Sequence, residues 1–361
     1  MSDRNSDADD VREIASRQFA ASEASLSYTE HLGAGDGAVP TGAFDIGGDE
    51  TSSFVEDSVG GMVLSHEVGT AAQHSERFTP VWRQRVRIFA QNKLAVASLI
   101  LLIIIVLACY IGPHVYHTNQ TNQEAAFGSF DLAPSWKHVL GTSSQGFDIL
   151  GQIMYAGEYS LSLGFLAGII TIFVGTFYGM IAGYFGGFVD SVMMRLIDAF
   201  LSIPYLFMLI TLIAVWGRST TFLILVIGLT GWWGNARIIR GDALLIRDLE
   251  YSQAATSMGA TKLQIVRRHV FPNSMSNIIT VGTFSIADAI LALSALGFLG
   301  LGIEPPATDW GTMLNTGVEQ LQNGFWWEVY PVAVVFILVV VCINYIGDAL
   351  RDAFEVRLLQ R

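Results

Sequence analysis

The sequence has 361 residues, of which 52% are hydrophobic and 14% are charged, with a mean hydropathy of +0.46. This balance excludes an ordinary soluble protein and predicts a polytopic membrane protein. The formal net charge of −12 is concentrated in residues 1–80, which hold 15 acidic and four basic residues. The remainder is nearly neutral, with 17 acidic and 16 basic residues, which argues against nucleic-acid binding.

Residues 1–80 form the first distinct region. They are rich in Asp, Glu, Ser, Gly and Ala and show no sustained helical or strand period. Such a segment buries too little apolar surface to offset the conformational entropy lost on ordering. We therefore expect a disordered acidic tail. It has no basic start followed by an apolar core, so a cleaved signal peptide is not expected.

Long apolar runs separated by polar loops predict an all-α fold of six transmembrane helices. The first run has 18 residues, or ~27 Å of helix, enough to cross the hydrocarbon core. In the third run, Arg195 and Asp198 are spaced for a local salt bridge, and Pro204 predicts a kink. In the second run, regularly spaced glycines predict close helix packing. The six runs are 94–111, 161–184, 192–215, 221–239, 278–299 and 330–346, and the glycines are Gly164, Gly168, Gly175, Gly179 and Gly183.

The distribution of basic residues predicts the orientation of these helices. If both termini are cytoplasmic, only Lys137 and Arg218 of the 20 Lys and Arg residues fall in extracytoplasmic loops. This asymmetry follows the positive-inside rule and supports six spans with both ends in the cytoplasm.

The largest basic loop, residues 250–273, combines small and cationic residues. Ala254, Ala255 and Gly259 allow the backbone to approach another surface closely, and Pro272 closes the segment. The cations that follow the small residues are Lys262, Arg267, Arg268 and His269. We interpret this cytoplasmic loop as a docking surface for a partner.

Asp288 is a carboxylate in the middle of the fifth apolar run. An unpaired charge there costs a few kcal/mol, so it is expected to face a cavity or a partner rather than lipid. Two interpretations remain open at this point. The residue lines a translocation path and meets a cationic group of the cargo, or it forms a structural contact between helices or subunits.

Motifs for independent catalysis are absent from the sequence. It contains no G-x-x-x-x-G-K-[ST] phosphate loop, no G-x-S-x-G elbow and no H-E-x-x-H helix. His114 and His117 have no third ligand nearby in the sequence, and both cysteines lie in apolar runs, so no metal site is predicted. We expect a non-enzymatic protein without a cofactor, whose energy comes from a partner.

Several short motifs follow one another in a defined order. Q-A-A at 253–255, Gly259 and H-V-F-P at 269–272 match a cytoplasmic signature of the form E-A-A-x₃-G with a later H-x-L-P. The other motifs are N-K-L-A at 92–95, L-G-T at 140–142, A-G-Y-F-G-G at 182–187, F-L-G-L-G at 298–302, P-P at 305–306, W-G at 310–311 and G-D-A-L-R-D-A at 347–353. Over residues 83–357 the chain resembles the C-type membrane permease subunit of bacterial oligopeptide and dipeptide ABC importers.

The resemblance implies a type I ABC importer permease in the bacterial inner membrane. It divides the chain into the tail 1–80, a first helix and extracytoplasmic loop at 81–157, and a permease domain at 158–361. Residues 250–273 would form a coupling helix, with Gln253, Ala254, Ala255, Gly259, His269 and Pro272 contacting an ATPase. Implied partners are a second permease subunit, two ATPase subunits that use ATP, and an extracytoplasmic peptide-binding protein.

Departures from the family pattern, which include Gln253 and Asp288, leave the cargo open. Gln253 stands where glutamate is usual, so docking should depend on the fit of small residues more than on a charge pair. Asp288 is an acid where a small residue is usual. The alternatives are the same machine importing nickel chelates or another small solute, and, more remotely, a self-sufficient secondary transporter, which inverted repeats would favour.

Overall fold

The computed structural model describes residues 81–117, 120 and 128–355. The predicted acidic tail lies outside these residues. In the described part the regular structure is helical, apart from an isolated antiparallel bridge between Thr142 and Asp148. The helices are α1 Val81–Gln91, α2 Lys93–Val115, α3 Ile149–Phe185, α4 Gly187–Leu201, α5 Tyr205–Trp216, α6 Thr220–Thr230, α7 Trp233–Arg247, α8 Glu250–Ser257, α9 Lys262–Ile265, α10 Phe271–Phe298, α11 Trp310–Leu321 and α12 Tyr330–Glu355.

The described residues contain five helical stretches long and apolar enough to cross a membrane, and a sixth if the bent pair α4–α5 is one span. These six segments confirm the predicted fold class. Their limits are wider than the apolar runs: α3 has 37 residues and begins at Ile149. Asp148 stabilises this early start because its side chain accepts a hydrogen bond from the Gly151 amide at 2.9 Å. The five stretches are Lys93–Val115, Ile149–Phe185, Thr220–Arg247, Lys262–Phe298 and Trp326–Phe354.

The third span is broken rather than gently kinked. Helices α4 and α5 meet at 80°, with Pro204 at the start of α5. Proline cannot donate a backbone hydrogen bond and clashes with the preceding turn, which ends α4. The predicted local salt bridge in this span was wrong: the Asp198 carboxylate accepts instead from Arg237 on α7. Tertiary packing of α7 against α4 brings a more distant guanidinium to the acid.

The glycine face of α3 packs against two helices, as the spacing predicted. A Cβ on Gly183 would lie 2.6 Å from the Arg240 carbonyl oxygen of α7, and a Cβ on Gly168 would lie 2.9 Å from Ile286 Cα of α10. Both distances are shorter than real contacts, so these backbones touch where no side chain fits. Helix α3 is therefore the central support of the bundle.

A short helix that the sequence did not predict closes the end of the bundle opposite residues 250–273. Asp309 begins α11 by accepting hydrogen bonds from the Thr312 amide at 3.0 Å and the Thr312 hydroxyl at 2.7 Å. Trp310 is completely buried, and its indole Nε1 donates to the Ile153 carbonyl at 3.1 Å. These bonds fix α11 against α3 and the end of α10.

Candidate functional site

The predicted docking loop forms a compact turn between α7 and α10. Helix α8 ends at Ser257, and Gly259 reverses the chain with φ +85°. This left-handed conformation favours glycine, and no atom lies within 4 Å of a Cβ built there. Thr261 and Gln264 then form a reciprocal capping box at the start of α9. A π-helical turn, Val266–Val270, continues directly into α10.

The structure separates the predicted site residues into exposed and buried groups. Gln253, Ala254 and Gly259 are exposed, whereas Ala255 is buried beside Ile265 in the core of the segment. Ala255 therefore supports the turn from inside. His269 is half-buried, and Pro272 is an exposed residue in the first turn of α10.

Two large apolar side chains extend this surface and were not predicted. Met258 is 82% exposed and Leu263 is 71% exposed, on either side of Gly259. Large apolar residues at the tip of a polar loop are a signal, visible in the sequence, for a surface that contacts another protein. We call the exposed group the coupling face; its residues are Gln253, Ala254, Met258, Gly259 and Leu263. Beside it, Arg267, Arg268 and His269 line a cavity of about 650 Å³.

Side-chain hydrogen bonds hold the coupling face in shape. The Gln253 amide Nε2 donates to the Asp248 carbonyl at 3.0 Å, joining α8 to the end of α7. The Asn273 amide Nδ2 donates to the His269 carbonyl at 2.6 Å and to the Tyr251 hydroxyl at 3.3 Å. The start of α8 is thereby tied to the start of α10.

Polar bonds also connect the base of this segment to the spans. Arg240 Nη2 on α7 donates to Asp190 Oδ2 on α4 at 2.6 Å, and Arg240 Nε donates to the other carboxylate oxygen of Asp190. This bidentate geometry is the strong form of an arginine–carboxylate bond. Asn277 on α10 is bonded to Asp242 on α7. Helix α7 thus links residues 250–273, which we call the coupling segment, to α4 and α10.

Asp288 lies in a different place, on the wall of a cavity of about 490 Å³. The cavity lies among α3, the bent pair α4–α5, the α6–α7 span and α10. Its lining is mainly apolar, with polar side chains that include Tyr205, Thr230, Asn235 and Ser285. The structure therefore places Asp288 at a cavity, far along α10 from the coupling face, and the two candidate sites are separate.

The opposite end of the bundle is organised by Asp148. Its Oδ2 accepts from the Tyr116 hydroxyl at 3.0 Å and contacts His138 Nδ1 at 2.9 Å. Burial and the nearby Asp148 carboxylate raise the pKa of Tyr116 above its usual value. At the start of α11, burial raises the pKa of the Asp309 carboxyl, while hydrogen bonds from Thr312 and Ile303 act in the other direction. These acids anchor helix ends rather than forming a separate site.

Two regions of the chain match families of known proteins. Residues 175–360 match the family described as binding-protein-dependent transport system inner membrane component. Residues 81–134 match the N-terminal TM domain of oligopeptide transport permease C. The first match covers about half of the chain. The chain belongs to the binding-protein-dependent transport permease family.

Curated relatives of this permease cover most of its length. It is 36% identical over 298 residues to the dipeptide transport system permease protein DppC of Bacillus subtilis, covering 82% of this chain and 92% of the relative. It is 34% identical over 275 residues to the oligopeptide transport system permease protein OppC of Escherichia coli K12, covering 76% and 91%. A glutathione transport system permease protein GsiD of Pectobacterium atrosepticum is 30% identical over 277 residues, covering 77% and 91%.

Among solved structures, the permease is similar to a chain of the inward-facing MetNI methionine ABC transporter. The TM-score is 0.47 at 19% identity, over 56% of this chain and 96% of that one. Family membership and the apolar helices identify the protein as a multi-pass inner-membrane permease subunit of an ABC importer.

Proposed function

We propose that this permease forms half of the translocation pore of an ATP-driven importer of oligopeptides or dipeptides. A second permease subunit completes the pore, and an extracytoplasmic peptide-binding protein delivers the cargo. Two ATPase subunits bind on the cytoplasmic side and carry out ATP hydrolysis. Peptides are the cargo because relatives that align over more than nine-tenths of their length are named for dipeptide, oligopeptide and glutathione transport.

The observation that carries this proposal is the construction of the coupling face. Met258 and Leu263 expose apolar surface around a glycine that has open space above it. Beneath them, Ala255, Ile265 and Val270 are buried and hold the turn in place. A rigid apolar tip on a membrane protein is suited to insertion into a groove of another protein. The ATPase is the partner that this family of importers requires.

The coupling face also has a mechanical connection to the pore. Arg240 and Asp190 join α7 to α4, and Asn277 and Asp242 join α7 to α10. Helices α4 and α10 both contribute to the wall of the Asp288 cavity. A displacement of the coupling segment by the ATPase would therefore reach the cavity through paired side chains. This supports alternating access driven by the ATPase pair rather than a self-sufficient secondary transporter.

The coupling role can be tested with Gly259→Arg. Arginine at φ +85° is strained and protrudes into the space in front of the coupling face. We expect the variant to insert in the membrane but to lose co-purification with the ATPase subunits. Gly324→Arg is the matched control, since Gly324 also has positive φ and open space but lies beyond α11. Normal ATPase recovery with Gly259→Arg would contradict the proposal.

The cargo requires a separate measurement. Uptake by the complete complex in proteoliposomes should be compared for a dipeptide, a pentapeptide, glutathione and a nickel chelate. The proposal expects import of at least one of the peptides, dependent on ATP and on the binding protein. Import of the nickel chelate alone would replace the peptide cargo while leaving the coupling mechanism intact.

A further inference from the structure

The side chain of Asp288 points away from the packed side of α10. Ala287 and Ala289, on either side, are buried, whereas Asp288 is exposed and shares its face of α10 with Leu291 and Ala295. It lies ten residues before Phe298, the last residue of α10, and ten residues of helix span ~15 Å. The carboxylate therefore enters the 490 Å³ cavity close to the middle of the span.

Three polar neighbours of Asp288, namely Thr230, Asn235 and Ser285, are hydrogen-bonded to other groups. The Asn235 amide donates to the Ser285 hydroxyl at 2.7 Å, and that hydroxyl donates to the Val281 carbonyl at 2.7 Å. The Thr230 hydroxyl donates to the Val226 carbonyl at 2.6 Å. Within residues 81–117, 120 and 128–355, no hydrogen bond or ion pair reaches the Asp288 carboxylate. Such an acid is expected to meet a cation in the working protein.

The cavity has the size and character of a binding site for a small solute. Its volume of about 490 Å³ lies within the usual range for ligand pockets, and most of its lining is apolar. The bent pair α4–α5 forms one side, with Ile203 from the break and Tyr205 from the start of α5. Interrupted helices inside a membrane are tolerated where they line a cavity. The break between α4 and α5 lies on the wall of this cavity, which is the position expected for a broken helix in a transport path.

We propose that Asp288 binds a cationic nitrogen group of the cargo as it passes the middle of the membrane. The inference rests on the proposed function as a peptide permease and names the part of the peptide that this wall recognises. The α-ammonium of a free amino terminus and the side chains of Lys and Arg share this chemistry. Each donates charge-assisted hydrogen bonds to a carboxylate, and the apolar walls strengthen the attraction.

The test uses the complete complex in proteoliposomes with Asp288→Asn, which keeps the shape of the side chain and removes its charge. Three cargoes separate the sources of the cation: a tripeptide of alanine, the same peptide with an acetylated amino terminus, and an acetylated peptide containing one lysine. Uptake by the variant is divided by wild-type uptake for each cargo. The selectivity of the binding protein then cancels, because both complexes use the same binding protein.

We expect Asp288→Asn to reduce uptake of the free-amino peptide about tenfold relative to the acetylated neutral peptide, the effect of about one charge-assisted hydrogen bond. If uptake of the lysine peptide falls by a similar factor, the site accepts any cationic nitrogen. If uptake of the lysine peptide does not fall, the site is specific for the amino terminus. Asp288→Glu, which retains the charge, should keep the preference. Glu319→Gln, which removes an exposed acid from α11, is the control and should leave all three ratios near one.

Three results would overturn the proposal. Equal ratios for all three cargoes would show that the carboxylate is protonated or structural. Loss of the second permease subunit from Asp288→Asn on purification would show that Asp288 pairs with that subunit. If the wild-type complex imports none of the peptides, both the proposed function and this inference fail. If the wild-type complex imports peptides but the ratios of variant to wild-type uptake are equal, this inference alone fails.

Discussion

The amide nitrogen of Asn277 donates to both carboxylate oxygens of Asp242, at 2.8 Å each. Asp242 lies near the end of α7 and Asn277 near the start of α10, so this bond spans the base of the coupling segment. Both residues are only partly exposed. Helices α7 and α10, which flank the segment that holds the coupling face, are therefore clamped where they enter the bundle, and this makes the segment a rigid projection.

Asn277→Ala should loosen this clamp. The variant leaves a partly buried carboxylate without its donor, a loss of about 1–3 kcal/mol. We expect protease cleavage within residues 250–273 of the purified complex to become about tenfold faster, since about 1.4 kcal/mol corresponds to tenfold in the open population.

Asn323→Ala is the control for this measurement, because Asn323 is exposed at the other end of the bundle and its amide bonds locally, to Gln320. The double variant Asp242→Ala with Asn277→Ala should lose less stability than the sum of the single variants. Cleavage of Asn277→Ala at the wild-type rate would show that other contacts hold the segment.

Gly179→Ala tests the glycine face of α3. An added Cβ would overlap the Ala236 carbonyl oxygen and lie 3.0 Å from the Arg240 amide nitrogen. Backbone atoms of α7 cannot rotate away as a side chain can, so α3 and α7 must separate. We expect a loss of about 1–3 kcal/mol of stability, visible as a lower thermal unfolding temperature of the purified complex.

Gly241→Ala provides the matched comparison, since Gly241 lies inside α7 and nothing lies within 4 Å of its Cβ position. Alanine has the higher helix propensity, so this variant should be unchanged or more stable by about 0.5–1 kcal/mol. Equal destabilisation by both substitutions would mean that glycine in these helices serves flexibility rather than packing.

The sequence predicted features that depend on local composition. Hydropathy located the membrane spans because a span needs a continuous apolar run, and the glycine spacing of α3 is visible within one helix. The missing amide of proline predicted a kink at Pro204, but not the 80° break between α4 and α5. The docking segment was recognised because its small and basic residues contrast with the apolar runs on both sides.

Features that depend on contacts between distant segments were not predictable in the same way. The partner of Asp198 is Arg237, 39 positions away, and no spacing rule identifies it. Ala254 and Ala255 look equivalent in the sequence, but the packing of Ile265 turns Ala255 inward. Helix α11 begins W-G-T-M-L and carries polar residues throughout, so hydropathy did not distinguish it from a loop.

Substitutions of Trp310 test whether the packing of α11 stabilises the helical bundle. Its ring is completely buried between α3 and α12, beside Cys109 and Phe336. Trp310→Ala should cost about 3–5 kcal/mol by creating a large cavity, and we expect little intact permease in the membrane. Trp310→Phe keeps much of the volume but loses the bond from Nε1 to the Ile153 carbonyl, so an intermediate yield is expected. Identical yields for both variants would contradict a packing role.

Substitutions of Gln253 test whether charge contributes to the binding of the ATPase by the coupling face. The Gln253 amide donates to the Asp248 carbonyl, a bond that a deprotonated glutamate cannot make. Gln253→Ala removes this bond without adding charge, and Gln253→Glu removes it and adds an exposed negative charge. The difference between the two variants therefore isolates the contribution of charge to docking.

Met258 and Leu263 supply apolar contact around the neutral Gln253. We therefore expect the wild-type complex to retain its ATPase at both about 0.05 M and about 0.5 M salt, although exposed charge pairs are strongly screened at the higher concentration. Gln253→Ala should bind slightly more weakly at both salt concentrations. Gln253→Glu should make retention depend on salt, in the direction set by the charge of the ATPase groove. If the wild-type complex already dissociates at the higher salt, docking depends on Lys262, Arg267 and Arg268, and the apolar tip has a secondary role.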